Sequence, residues 1–259
     1  MTGNETPRAA LVLLCAVLAC SAARAAGGDA VQKRWNALPE QVQTVLSHVE
    51  KAGEGLKTLR ADVEYTRSIP LLEEKEQCTG TLLFHTPDRL ALRLGEPRNE
   101  DIYSNGDRWW VVSHDQQQVE IYRAVENPRR AREAVFLKFG YGRSVRSLLT
   151  EYSVEIARTN QVKPSDRDAN KVTEYVLRFT PRKGREVPSR YSWIEVAVRE
   201  GRWMPARIKL AEDGGRILHV FRMANRTPGV EVEEGTFTYT PPEGYNILRP
   251  AKGKPGTDK

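Results

Sequence analysis

The sequence has 259 residues, 39% of them hydrophobic, and a formal net charge of +6. This is too apolar for a disordered chain, and the length suits either two small domains or one large β unit; one folded unit is expected. The basic excess is mild and no basic-aromatic motif accompanies it, which argues against a nucleic-acid module.

The N-terminus carries an apolar run, Ala9 to Ala19, followed by Cys20 and the small-x-small pattern Ala23-Arg24-Ala25. A run this short cannot span a bilayer, so residues 1–25 read as a secretory signal peptide and the mature chain is expected in the periplasm. Val17-Leu18-Ala19-Cys20 also matches a lipobox, in which Cys20 would be acylated and hold the protein to the envelope. Cleavage after Ala25 is the preferred reading, and the lipid-anchored form is the alternative. With either cut Cys78 is the one cysteine left in the fold, so no internal disulfide is expected.

Residues 26–38 form a polar leader. From Pro39 the apolar residues Val42, Val45, Leu46 and Val49 recur at spacings of three and four, which predicts an amphipathic helix running toward Leu56 and Leu59. The period then changes to two. Leu59, Ala61, Val63 and Tyr65 alternate with charged or polar residues, as in a strand with one dry face.

Further strands are expected at 78–85, 89–94, 101–104, 108–112 and 119–122, with an Asn105-Gly106 turn between two of them. A helical pattern returns between Asn127 and Leu149, divided at Gly140-Tyr141-Gly142. Strands resume at 152–157, 172–179, 193–198, 206–210, 217–221 and 236–239, joined in part by Glu200-Gly201 and Asp213-Gly214-Gly215 turns. The last residues, 249–259, are rich in Lys, Gly and Pro and form a mobile tail. The fold class is therefore α+β, mainly β: about eleven antiparallel strands in one curved sheet forming an incomplete barrel, covered by the N-terminal helix and a central helical lid.

Three stretches carry a resemblance: the hairpin Gly80-Thr-Leu82-Leu-Phe84-His-Thr-Pro87, the segment Ser104-Asn-Gly-Asp-Arg-Trp-Trp-Val111, and the closing Phe237-Thr-Tyr-Thr-Pro241-Pro-Glu-Gly244-Tyr-Asn-Ile247. In this order, over residues 39–248, the chain resembles the LolA family of outer-membrane lipoprotein carriers, whose shell is shared by LolB-type acceptors and RseB-type sensors. The resemblance implies an apolar cavity for the acyl chains of lipoproteins and no chemical step. It also implies, as partners, an inner-membrane lipoprotein-releasing transporter and an outer-membrane acceptor. One departure stands out: the carriers commonly place an arginine before the hairpin proline to latch the lid, whereas this chain has Thr86. Arg89 is the candidate for a related role.

Candidate cavity residues are Val63, Tyr65, Leu82, Phe84 and Leu92 in the first half of the sheet, with Trp110 and Val112 beside them. Phe179, Trp193, Phe221 and Phe237 are the candidates in the second half. Phe136, Phe139, Tyr141 and Leu148 are the lid candidates. With Arg129, Arg130, Arg132, Arg143 and Arg146 around them, they read as a basic-aromatic surface for transient membrane contact. The histidines at 48, 85, 114 and 219 form no ligand pair, so no metal site and no cofactor are expected. Nucleophile elbows and phosphate-binding glycine loops are also missing from the sequence, which makes an enzyme the poorer class.

Overall fold

A computed structural model describes residues 29–126, 136, 139–141, 145–163, 170–184 and 189–249. The expected signal peptide, Cys20, the arginines at 129, 130, 132 and 143, and the residues from 250 onward lie outside them.

Helical residues 29–36 (α1) precede helix α2, Glu40–Gly53, so the segment read as a polar leader carries a helix with Trp35 as its buried anchor. α2 buries Val42, Val45, Leu46 and Val49, as the spacing predicts, but ends at Gly53, before Leu56 and Leu59. Leu59 belongs to the first strand.

The strands are β1 (Thr58–Ile69), β2 (Glu74–His85), β3 (Arg89–Leu94), β4 (Glu100–Asn105), β5 (Arg108–Ser113) and β6 (Gln118–Arg123). After the central segment come β7 (Tyr152–Val162), β8 (Val172–Pro181), β9 (Tyr191–Arg199), β10 (Pro205–Glu212), β11 (Ile217–Pro228) and β12 (Asn246–Leu248). They form one 12-stranded sheet in the order β12-β6-β5-β4-β3-β2-β1-β11-β10-β9-β8-β7. Its two ends do not pair, so the sheet is curved and unclosed. All pairings are antiparallel except β12 with β6, which is parallel.

This order dictates the cover. The chain builds outward from β1 to β6, must then reach the opposite end of the sheet to start β7, and returns strand by strand until β11 meets β1. The connection between β6 and β7 therefore has to cross the sheet. Its described residues include Phe136, Phe139 and Tyr141 and a 3-10 segment at Val145–Thr150, and the three aromatic residues pack in the main core with Val145, Leu148 and Leu149.

The turns follow the sequence. Gly106 has φ +100°, and the Asn105 side chain accepts hydrogen bonds from the backbone N–H groups of Asp107 (3.0 Å) and Arg108 (2.9 Å). The exception is at the C-terminus, where 236–239 is not a strand. Its alternation of aromatic residues comes from packing on the outer face of the sheet, and the pairing falls instead to Asn246–Leu248.

The outer faces of β7 to β10 are polar and ordered by buried carboxylates. Glu195 accepts hydrogen bonds from Arg158 (3.1 and 2.7 Å) and Arg178 (3.2 and 2.7 Å). Burial pushes the Glu195 carboxyl up, but the bonds donated by the two arginines outweigh it and hold the group below its ordinary value. A native value below the unfolded one means stability that is present above the usual carboxylate range and lost as the pH falls through the native value. The urea stability of the wild type should thus exceed that of Glu195→Gln most at neutral pH, and the gap should narrow in acid. A gap independent of pH would show that the ion pairs contribute nothing through titration.

Candidate functional site

The concave face of the sheet is continuous and apolar because inward-facing residues match across every ladder. Leu59 pairs with Phe84, Ala61 with Leu82 and Val63 with Gly80, and on the next ladder Leu82 pairs with Leu92 and Phe84 with Leu90. On the other side of β1, Val63 pairs with Met223 and Tyr65 with Phe221. Burying each of the Leu, Val, Phe and Met side chains among them contributes roughly 1.5–3 kcal/mol.

Phe179 on β8 is the hub where the cover meets this face. Its ring lies 5.3 Å from Phe136, 5.4 Å from Phe139 and 6.5 Å from Tyr152, all edge to face. Tyr141 packs on Phe84 at 5.5 Å and donates a hydrogen bond to Met223 Sδ at 3.2 Å. Burial drives the Tyr141 phenol far above its ordinary pKa. Gly140 lets this segment approach α2: its φ is +73°, and a Cβ there would stand 2.8 Å from Val49 Cγ1.

Polar ties fix the cover at its margins. Arg146 donates from Nε to Glu50 on α2 at 3.0 Å and stacks over the Trp35 ring at 3.9 Å, joining α1, α2 and the 3-10 segment. His48 of α2 stacks on Trp203 at 4.4 Å, and Trp203 stacks in turn near Tyr175. Because the Arg146–Glu50 pair is partly exposed, Glu50→Gln should change global stability by less than about 1 kcal/mol. We expect it to speed the uptake of an apolar fluorescent dye by loosening the cover, as read by stopped-flow fluorescence; unchanged uptake would mean the pair does not restrain it.

The register sorts the predicted residues. Val63, Tyr65, Leu82, Phe84, Leu92, Phe179 and Phe221 share the core cluster on the concave face. Trp110, Val112 and Phe237 do not: they lie on the outer face with Ala91, Tyr103 and Val119, beneath the segment 229–249. Adjacent residues of a strand point to opposite sides, and it is Trp109 that faces inward, stacked on Tyr122. Trp193 is also on the outer side, between the cations of Arg178 (4.9 Å) and Lys209 (5.2 Å).

The lid candidates Phe136, Phe139, Tyr141 and Leu148 are buried against the concave face, so their aromatic rings form no surface patch. Arg89 is exposed and alternates with the inward Leu90, on the side of β3 away from the cover, which removes it as a latch. Sequence reading missed the Arg146–Glu50 tie, whose partners lie 96 positions apart with no local pattern to join them. α2's Val45, Leu46 and Val49, with 0–2% exposure, belong to the site as well, and their helical spacing is the signal that finds them.

Among the described residues no cluster of three or more His, Cys, Asp or Glu side chains could hold a metal ion. Cys78 is free and buried, and burial raises its thiol pKa. No described helix is long and apolar enough to cross a membrane.

No protein-family model matches the chain. An outer-membrane lipoprotein carrier protein of Alkalilimnicola ehrlichii is 24% identical over 179 residues, covering 69% of this chain and 72% of that protein. Among solved structures, an uncharacterized conserved protein from Thermus thermophilus has a TM-score of 0.50 at 10% identity, over 82% of this chain and all of that one (100%). A LolA superfamily protein from Nitrosomonas europaea covers 76% of this chain and 97% of its own at 12% identity, with a TM-score of 0.38. The sequence match to a lipoprotein carrier, together with a twelve-stranded unclosed sheet covered on its concave face, makes this chain LolA-like.

Proposed function

We propose that the protein is an exported, non-catalytic carrier that holds the acyl chains of a lipid-modified protein, or a related lipid, against its concave face and moves them across the periplasm. The observation that supports this reading is the apolar concave face itself, roofed by α2 and the β6–β7 connection instead of by more sheet. An acyl chain entering there gains roughly 0.8 kcal/mol per buried CH₂ group, offset by the contacts of Phe136, Phe139 and Tyr141 that it displaces. That offset makes capture reversible, as a carrier that must surrender its cargo requires. An inner-membrane releasing transporter and an outer-membrane acceptor are the partners this reading calls for.

The test uses the purified mature chain. Acyl lipids should co-isolate with it, detected by mass spectrometry of an organic extract. After delipidation it should take up an apolar fluorescent dye saturably and release it to fatty acyl competitors. A folded protein that excludes the dye and carries no lipid would defeat the proposal.

A second reading rests on Val17-Leu18-Ala19-Cys20: a lipid-anchored acceptor or envelope-stress sensor using the same shell. Mass measurement of the mature N-terminus separates the two, since an acylated Cys20 is incompatible with a freely diffusing carrier.

A further inference from the structure

At the end of the concave face away from the cover, the apolar lining gives way to a ring of ionisable side chains. Tyr65 is the last inward aromatic residue of β1, and its hydroxyl is hydrogen-bonded to His219 Nδ1 at 2.9 Å. His219 Nε2 lies 3.1 Å from Glu212, and Arg190 reaches the same carboxylate at 2.7 Å. On the other flank Arg98 sits 5.9 Å from the centre of the Tyr65 ring, 3.0 Å from Glu100 and 3.7 Å from Glu76. Tyr65 joins the two flanks, with Arg98 over its ring and His219 on its hydroxyl, and Arg190, the residue before β9, lies within electrostatic range of Glu100 on β4. Arg67 on β1 bears on both Tyr65 and His219.

Two properties of the ring restrict what it can hold. Its charges balance: Glu76, Glu100 and Glu212 stand against Arg67, Arg98 and Arg190, and burial lowers the His219 pKa and so favours the neutral imidazole. Its hydrogen bonding is incomplete. Glu76 Oε1 and Arg98 Nε are both buried and make no hydrogen bond, leaving one acceptor and one donor on neighbouring side chains. Glu76 Oε1 is held only at ion-pair distance from Arg98 Nη1, and buried polar atoms that lack a hydrogen bond cost free energy until a donor or acceptor arrives.

We propose that this ring is a recognition site for the polar end of an amphiphile, selecting a neutral amide or hydroxyl head whose alkyl chain runs inward along the concave face. Such a head donates to Glu76 and accepts from Arg98 at once. A carboxylate head can only accept, which leaves Glu76 Oε1 without a donor and adds net charge to a balanced ring, and a quaternary ammonium head can do neither. The inference rests on the acyl-binding reading above and adds the head-group chemistry to it.

The experiment is displacement of the apolar dye from the mature protein by three chain-matched amphiphiles below their micelle concentrations: N-dodecanoylethanolamide, dodecanoate and dodecyltrimethylammonium. The ethanolamide should displace the dye at about tenfold lower concentration than the other two, the effect of one or two net hydrogen bonds. Glu76→Gln, which removes the charge facing a carboxylate, and Arg98→Lys, which keeps the charge but lacks Nε, should each bring that ratio toward one while dye affinity stays unchanged. Glu64→Gln, on the outer face of the same strand as Tyr65, should leave it as in the wild type.

Equal displacement by all three heads, a preference for the carboxylate, or a ratio untouched by both ring variants would overturn head-group recognition while leaving acyl binding standing. Absence of dye uptake by the folded wild type would instead bring down the acyl-binding reading, and this inference with it.

Discussion

Gly80→Ala should cost about 3 kcal/mol or more of stability, the largest effect expected from so small a change. Gly80 sits inside β2, opposite Val63 on one side and Leu94 on the other. A Cβ at this position would stand 2.0 Å from the backbone oxygen of Arg93 and 3.0 Å from a Leu94 methyl group. The obstruction is backbone on the neighbouring strand, so relief requires prising β2 from β3 in the middle of the sheet. Gly95→Ala is the matched comparison: its Cβ would meet nothing closer than the Thr79 carbonyl oxygen at 3.4 Å, an ordinary contact. Urea unfolding of the pair should show Gly80→Ala far the less stable, and equal stabilities would refute the close-approach argument.

Phe179→Ala should cost about 3–5 kcal/mol, the range for deleting a fully buried aromatic ring. Its consequences should also be local. Phe179 touches Phe136, Phe139 and Tyr152 at once, so the cavity left behind undermines the cover at its main anchor while the ladders of β8 with β7 and β9 keep their backbone pairing. The expected signature is a reduced near-UV circular dichroism signal with the far-UV sheet signal retained, and faster dye uptake. Phe237→Ala deletes the same ring from the outer-face cluster, and although it too should destabilise, dye uptake should stay as in the wild type. Equal acceleration by both variants would mean that general loosening, not the cover, controls entry.

The strands were legible wherever one face of the sheet is wet. Leu59 to Tyr65 alternates cleanly because Arg60, Asp62 and Glu64 point outward, and Asn105-Gly106 marks its turn because few other residue pairs tolerate that backbone. Legibility ended where both faces are apolar. In β5, Trp109 enters the concave core and Trp110 the outer cluster, so hydrophobicity alone could not choose between them, and Val112 went to the wrong side for the same reason, whereas Phe237 lies in no strand and packs on the outer face. β12 gives no periodic signal, being three residues long, and its parallel partner is more than a hundred positions away.

The ring at Tyr65 was hidden for another reason. Its members come from β1, β2, the β3–β4 turn, β4, the β8–β9 connection, β10 and β11, and they converge only because the sheet coils. Arg89 shows the converse error: it lies near the expected motif position in sequence but on the opposite side of the strand in space.

The unpaired ends of the sheet set a limit that a closed cylinder would not have. In a closed barrel the strand number and stagger fix the girth, and widening it means breaking a seam of hydrogen bonds. Here β7 and β12 share no seam, so girth is an elastic variable, adjusted by small changes of twist spread over eleven neighbouring pairings with every one of them intact. Occupants of different cross-section can therefore be accommodated at the cost of bending a spring, not of cutting a hoop.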